Sequence, residues 1–443
     1  MTKTVEILDA MMGSGKSTAI FKWIDDNPDE KYIYVSPNLT EVDTGGRIHQ
    51  EVSKVEFHSP SVDQHGNTKS ESLTNLLNEG KSIACTHSLY LSMTTNQMST
   101  VESQGYVLIL DEEINVMESF KKYSFKDITW LLQEGYISYS KTDGSIEWIK
   151  DDNLVNDADH KYYYCKALAD KKSLYVTRFD EDSTTANRVM MVTHIPVKLI
   201  ECAKRVVAIT YLFKGSVLDR FLELKGFETK PFTEVKVQDV KPSDLKHLIT
   251  LVPPDNKIKT YPMTSTWWET KASKQEIKDV QNYILRNARK YAKEPENLLW
   301  TCPKNRSKSD SPKANYTHLN PIGFVYSSET IKVEDEEVKL KRPTWLSAKT
   351  RATNLYADRT VMIQCYNRYP MHDVACYLAD YGKSVDADVF CLAEALQWFF
   401  RGCIRKGEPI VWCCANNRVY KLIKDWLDDK EIKGCGEFTN NGK

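Results

Sequence analysis

The 443-residue chain is short of the features that define several large protein classes. No apolar run reaches the ~18–20 residues that a membrane-spanning helix needs. The opening residues, MTKTVEILDAMMGSGKST, hold neither the basic nor the apolar stretch of a secretory signal. Eleven cysteines are scattered with no C-x-x-C among them, and the adjacent Cys413 and Cys414 suit a buried strand better than a metal site. That spacing argues against zinc and disulfides, and for a reducing, cytoplasmic setting. Net charge is only -1, so no global basic field advertises nucleic acid, and any such surface must be a local patch or cleft. Repeats and low-complexity tracts are also missing. What is present is a globular composition, 41% hydrophobic and 27% charged, in a chain long enough for two or three domains.

Short apolar runs alternate with helical patterns. TVEILD, KYIYVS, SIACTH and YVLILDEE read as strands, and STAIFKWIDD and SLTNLLNEG as helices. This rhythm predicts a parallel sheet covered on both faces. It breaks between residues 118 and about 190, where YISYSKTDGSIEWI reads as a hairpin turning at Asp143-Gly144 and DADHKYYYCKALAD as an aromatic-rich helix. That stretch is an α+β insertion in the first domain. The rhythm returns with strand RVVAITYLF. A Lys- and Pro-containing stretch, 226–246, reads as a linker. A second α/β domain, 247–443, follows with strands HLITLVP, NLLWTCP, PTWLS, TVMIQCYN and PIVWCC. Its long helices are KQEIKDVQNYILRNARKYAKEP and ADVFCLAEALQWFFRGCIRKG.

The strongest motif is Ala10-Met-Met-Gly13-Ser14-Gly15-Lys16-Ser17-Thr18, set between a strand and a helix. Glycines let backbone N–H groups close around a phosphate. Lys16 supplies a point charge for the β- and γ-phosphates, and the Ser17 hydroxyl a ligand for Mg²⁺. Gly13, Ser14, Gly15, Lys16, Ser17 and Thr18 are therefore the nucleotide-binding residues, with ATP and Mg²⁺ the expected ligands. The second motif is ILDEE: Asp111 at a strand end is assigned to the metal and Glu112 to the attacking water. Thr210, ending strand RVVAIT, is expected to hydrogen-bond this acidic pair. In Gln397-Trp-Phe-Phe-Arg401-Gly-Cys-Ile-Arg405, an arginine from a facing lobe can neutralise charge on the γ-phosphate. Arg401 and Arg405, four apart, are expected to share a helix face, Arg401 being the finger and Arg405 the reserve.

The order of AMMGSGKST, YVSPNLTE, ACTHSLY, LILDEE, AITYLF, LLWTCPK, KTRATNLYADRTVMI and QWFFRGCIR resembles that of superfamily 2 (DEAD/DEAH-like) helicases, and most of all compact bacteriophage-encoded ones. The likeness spans Thr4 to about Cys414, apart from the insertion. It implies two RecA-like P-loop NTPase lobes, residues 1–225 and 247–443, with ATP in the cleft between them. By the same resemblance, single-stranded or branched nucleic acid, DNA before RNA, crosses both lobes. Pro37, Asn38, Thr86 and His87 would touch it from the first lobe, and Thr353 and Asn354 from the second. A phage origin would bring replication or recombination partners and a host-cytoplasm location. The likeness is incomplete. Only nine residues precede Ala10, so no adenine-reading glutamine motif fits there. DEEI stands where the family has DEAD or DEAH, Asn354 where it has Asp, and the arginines are one residue further apart than its common spacing.

Three other readings compete. A packaging terminase has a P-loop and an acidic strand end, but it also carries a nuclease domain, and no strand of the second half ends in an acid cluster. Thymidine-kinase-like enzymes are shorter and carry cysteine zinc sites. A regulatory ATP-binding protein would need no motor step. The basic loop KNRSKSDSPKANY suits phosphate contact or plain solvation equally, and Trp267-Trp268 suits burial better than base stacking.

Overall fold

Thr4–Asp9 (β1) buries its four central residues, the pattern of a strand covered on both faces. A computed structural model describes residues 3–62, 68–150, 153–178, 189–306, 319–333, 336–350 and 355–432. The helix after β1, Lys16–Asp26, turns Ile20, Phe21, Trp23 and Ile24 inward. The alternation continues through Tyr32–Ser36 (β2), Phe57–His58 (β3), Ser82–Thr86 (β4) and Val107–Asp111 (β5).

The chain then leaves the sheet. Met117–Ser119 (β6) is followed by a hairpin of Ile137–Tyr139 (β7) and Ile146–Trp148 (β8), then by Leu174–Val176 (β9) and Met191–His194 (β10). Strands β6, β10 and β9 lie antiparallel in that order. Around them Ile128, Leu131, Cys165 and Met191 form a small core of their own. The hairpin turns at Asp143-Gly144 as expected, with Gly144 at φ 72° and the Asp143 carboxylate accepting from Ser145 N at 3.1 Å. The expected aromatic helix is shorter than its pattern: only Tyr163–Asp170 is α-helical, and residues 157–162 are turns.

Arg205–Thr210 (β11) re-enters the first sheet between β1 and β5, and Glu228–Pro231 (β12) pairs with the outer edge of β1. The result is seven parallel strands in the order β12-β1-β11-β5-β2-β4-β3. The expected linker therefore opens with a strand. Its Pro231 is tolerated because β12 is an edge, where a missing N–H costs no ladder bond, and Phe232 behind it is buried.

The second half holds Ile249–Val252 (β13), Leu298–Thr301 (β14), the hairpin Tyr326–Val333 (β15) and Glu336–Pro343 (β16), Val361–Gln364 (β17) and Ile410–Cys414 (β18). Four of these form a parallel sheet in the order β13-β18-β17-β14. Cys413 and Cys414 are buried in β18, and all described cysteines are free thiols. Two expectations shift here. PTWLS contributes one bridge, Trp300 to Trp345, instead of a strand. The long helix is α-helical over Lys274–Asn287 and then widens to a π-helix, Ala288–Ala292. No helix of the described residues is long and apolar enough to cross a membrane.

The halves are joined by side chains from both. In the helix His372–Asp380 and just beyond it, Val374, Tyr377, Leu378, Tyr381 and Val385 belong to the core of the first sheet, each burial contributing about 1.5–3 kcal/mol. The Tyr377 hydroxyl donates to Asp143 O, and the Tyr381 hydroxyl to Val176 O at 3.1 Å, so this helix also clasps the insertion. At that clasp Gly144 has no room for a side chain, since a Cβ would lie 2.3 Å from Val176 O and 2.5 Å from the Tyr381 hydroxyl. Gly144→Ala must therefore displace backbone as well as adopt a positive φ. It should destabilise the chain by about 1–3 kcal/mol, read as a lowered midpoint in thermal or urea unfolding, whereas Gly135→Ala, with a similar φ of 67° but open space around it, should cost less.

Candidate functional site

The parallel register sets the site. β1 pairs Asp9 with Thr210 of β11, and β11 pairs Ile209 with Asp111 of β5, so three strands end together at the carboxyl edge of the sheet. After β1 the loop uses Gly13 at φ 82° and Gly15 at φ 83° to wind over the start of the helix Lys16–Asp26. A residue with a side chain rarely adopts that conformation. The Lys16 ammonium donates to Ala10 O and to Met11 O, the latter at 2.9 Å. Burial lowers its pKa to about 8; Asp111, Asp9 and Glu112 oppose the shift and Arg405 adds to it.

Asp111 accepts from the Tyr34 hydroxyl at 2.7 Å and from Ser36 at 3.5 Å. Its pKa is raised to about 7, first by burial and then by the neighbouring Glu112 charge, with Tyr34 and Lys16 opposing. Glu112 follows at φ 64°, a left-handed conformation for a residue with a Cβ, held by its N–H donating to Ile209 O at 3.0 Å. Its Oε1 lies 3.8 Å from Arg401 Nη2, while its Oε2 is buried with no hydrogen-bond partner.

Arg401 reaches this place from the second half. It follows the helix Ala387–Phe399, and Arg405 lies beyond it on the 3₁₀ turn Cys403–Lys406. The two arginines therefore do not share a helix face. The helix ends at Phe399, and Gly402 between the arginines is extended (φ -80°, ψ -173°) and packed so closely that a Cβ would meet Ile410 and Met362 side chains at 2.8 Å. Trp398, Phe399 and Phe400 anchor the segment in the second core, and Arg401 itself is 5% exposed. Both arginines and Gln397 nonetheless line one cleft of about 560 Å³ with Gly13, Gly15, Lys16, Ser17, Thr18, Asp111, Glu112 and Thr210. Ser14 belongs to the same loop and is buried. The Thr210 hydroxyl lines the cleft without bonding to either acid; it is the Thr210 carbonyl that is used, accepting from Ala10 N at 3.1 Å.

The expected nucleic-acid contacts are placed differently. Asn38 lines this same cleft and its side chain accepts from Thr40 N at 3.1 Å, with Pro37 just before it. Thr86 caps the helix His87–Leu91, and His87 is 2.9 Å from Asp111 O. Thr353 and Asn354 lie outside the described residues, as does most of the basic loop after Arg306. Trp267 and Trp268 are buried.

Several residues at the site carry no sequence signal of their own. Arg47 enters the cleft, donating to the Thr18 hydroxyl at 2.7 Å and pairing with Glu41 and Glu51. Asp9 accepts from Leu212 N at 2.8 Å and Phe213 N at 3.0 Å, fixing the loop after β11. Met11 of the phosphate loop packs into the second core, and the Tyr211 hydroxyl accepts from Trp426 Nε1 at 2.8 Å. The strand-end acid in TVEILD was the one readable hint. Among the described residues no group of three or more His, Cys, Asp or Glu is arranged to hold a metal alone. One carboxylate, one hydroxyl and an anion cradle are, however, the donor set that suits Mg²⁺ shared with phosphates, and the orphaned buried oxygens of Ser14, Glu112 and Gln397 leave hydrogen-bonding capacity unused there.

Residues 243–427 match a family described as the YonV C-terminal Rossmann-like domain. Across 449 aligned residues the chain is 26% identical to the SPbeta prophage-derived uncharacterized protein YonV of Bacillus subtilis (strain 168), covering 96% of this chain and 99% of that one. Among solved structures, apo XPD superposes with a TM-score of 0.51 at 13% identity, over 98% of this chain and 96% of that chain. A DEAD box protein from the hyperthermophile Methanococcus jannaschii reaches only 0.27 at 10% identity, over 98% and 87%. The fold is that of two-lobed, RecA-like helicases, with a Rossmann-like domain at the C-terminal side.

The raised pKa of Asp111 has a consequence for stability. A carboxylate whose folded pKa lies above its ordinary value favours folding while protonated, and that contribution is lost as pH rises from about 4 through about 7. Asp111→Asn removes the burdensome charge and keeps an acceptor for Tyr34. In nucleotide-free protein it should raise the melting temperature at pH 8, with the gain shrinking towards pH 4. An equal gain at both pH values would show that Asp111 is not held protonated by burial.

Proposed function

We propose that the chain is an ATP-dependent helicase or translocase of superfamily 2 type, with residues 1–225 and 247–443 as lobes that hydrolyse ATP between them and move on DNA. The observation that carries this reading is the approach of Arg401, from the second half, to within 3.8 Å of Glu112 at the end of β5. A phosphate loop alone supports nucleotide binding. A loop, two acids and arginines from opposite halves lining one cleft support hydrolysis coupled to lobe movement.

In this reading the loop N–H groups and Lys16 hold the phosphates, and Lys16, with a pKa near 8, carries its charge at neutral pH. The Ser17 hydroxyl and the Asp111 carboxylate would hold Mg²⁺, whose chemistry when bound would be neutralisation of phosphate charge. Glu112 accepts the proton of the attacking water; its orphaned Oε2 is the available oxygen. The left-handed backbone at Glu112 costs on the order of 1–3 kcal/mol, and it aims that carboxylate away from the strand. Arg401, 3.8 Å from Glu112 and lining the same cleft as the phosphate loop, is the cation placed to meet a phosphate. Gln397 offers a buried, unused carbonyl beside it. Thr210 positions the loop through its backbone. Arg405 is the reserve cation at the cleft mouth. The prophage-derived relative supports a phage origin, and the role proposed within it is replication or recombination in the host cytoplasm.

The ATPase rate with and without single-stranded DNA, duplex DNA and RNA tests the reading. Lys16→Ala should abolish turnover without changing the melting curve by more than a few degrees. Glu112→Gln should bind ATP and lose about 10²–10⁴-fold in rate. Arg401→Ala should keep ATP affinity within about tenfold and lose about 10³-fold or more of the nucleic-acid-stimulated rate, because an arginine finger acts on charge that develops in the transition state. Arg405→Ala should lose less. Normal, nucleic-acid-responsive turnover in both arginine variants would remove the second half from the reaction. Turnover indifferent to every nucleic acid would point instead to a regulatory ATPase.

A further inference from the structure

The insertion carries a surface that the ATP site does not use. Trp130, on the helix Phe125–Gln133, is 41% exposed. Its ring lies near-parallel to Tyr136 (centroids 5.2 Å apart, planes at 26°) and to Tyr162 (5.6 Å, 17°). Trp148 of β8 continues the row from Tyr136 at 5.8 Å. Trp130 leaves apolar surface in water, forgoing the ~25 cal/mol per Å² that burial would return, whereas Tyr136, Trp148 and Tyr162 are half-buried and pack against the small core of the insertion, to which the same helix gives Ile128 and Leu131.

Cations sit on rings of the insertion. The Lys150 ammonium lies 4.3 Å from the Tyr136 centroid, and Lys122 lies 3.3 Å over the ring of Tyr164, itself 47% exposed. Lys161 is also over Tyr162, but it is paired with Asp127, which takes the Tyr162 hydroxyl as well. The Trp148 N–H is spent on Lys150 O. What the row leaves in water is the open part of the Trp130 ring, flanked by rings whose Tyr162 hydroxyl and Trp148 N–H are already bonded, with Lys150 and Lys122 as cations on the same insertion. Flat faces suit unpaired bases of any sequence, and flanking cations suit the phosphates between them.

We propose that the Tyr162–Trp130–Tyr136 row is a binding platform for single-stranded DNA, outside the ATP cleft, on which bases stack while Lys122 and Lys150 meet the backbone. The proposal rests on the motor reading for its choice of DNA, and it adds to that reading a second grip on the strand.

The test is anisotropy of a labelled deoxythymidine 30-mer with the full chain, in a salt series. Trp130→Ala should weaken binding roughly tenfold, the loss of about one stacked base, with Trp130→Phe intermediate. Lys122→Ala/Lys150→Ala should lower the salt slope by about one to two. ATPase without nucleic acid should be unchanged in all three, because Trp130, Lys122 and Lys150 do not line the ATP cleft, and Trp130→Ala should stay folded with a modestly lowered melting midpoint from its lost ring contacts. Equal affinity of Trp130→Ala and the parent chain overturns the platform while leaving the motor reading intact. Absence of DNA binding by the parent chain overturns both. Tighter binding of a uridine 30-mer than of the DNA strand overturns the choice of DNA.

Discussion

Asp111 ends a strand buried on both faces, and Glu112 follows it directly, at the edge of the cleft. Two adjacent carboxylates in that setting repel each other, and much of the surrounding arrangement answers that repulsion. β2 brings Tyr34 and Ser36 to Asp111. β1 brings Lys16 through the loop that follows it. Arg401 comes from the far half, and a pair at about 4 Å interacts by roughly 4 kcal/mol gross at an effective dielectric near 20, before the cost of removing both charges from water. Burial pushes the pKa of Asp111 up to about 7 and that of Lys16 down to about 8, and the attraction between the two groups opposes both shifts.

The second half is not attached by the cleft alone. Trp426 donates to Tyr211, Asp386 N donates to Gly215 O at 2.9 Å, and Arg220 donates to Ser384 O at 2.8 Å. These contacts fall on the segment just after β11, which Asp9 also anchors. The contacts between the halves therefore converge on the carboxyl end of β11, one strand from both the phosphate loop and the acids. The insertion is tied to the same helix, His372–Asp380, that enters the core of the first sheet. It is braced from two sides, and the aromatic row stands on a fixed mount.

Much of this could be read from the sequence where the chemistry needs residues close together in the chain. The phosphate loop needs Gly13, Gly15, Lys16 and Ser17 in one turn, and the acids need the end of an apolar strand, so both were visible with their flanking elements. The hairpin at Asp143-Gly144 was visible for the same reason. Arg47, Glu41 and Met11 were not, because their roles come from which way a turn or loop faces after packing, and no local pattern encodes that. The helical spacing of Arg401 and Arg405 misled, since the helix stops at Phe399 and the backbone is extended at Gly402 before Arg405 falls on a separate 3₁₀ turn. β12 was hidden behind Lys230 and Pro231, a pair that suits an edge strand and not the interior of the sheet.

The helix His372–Asp380 belongs to the first core although it lies more than 160 residues after β11. Synthesis proceeds from the N-terminus, at about 5–20 residues per second. Roughly ten to thirty seconds thus separate the appearance of β11 from that of Tyr377, Leu378 and Val385. During that interval the nascent first lobe presents an apolar wall with nothing against it, formed in part by Phe221, Leu218 and Val192. The ribosome-bound chain is therefore a different object from the finished one: sticky, open on one side, and a natural client for a holding chaperone until its own C-terminal half arrives to cover it.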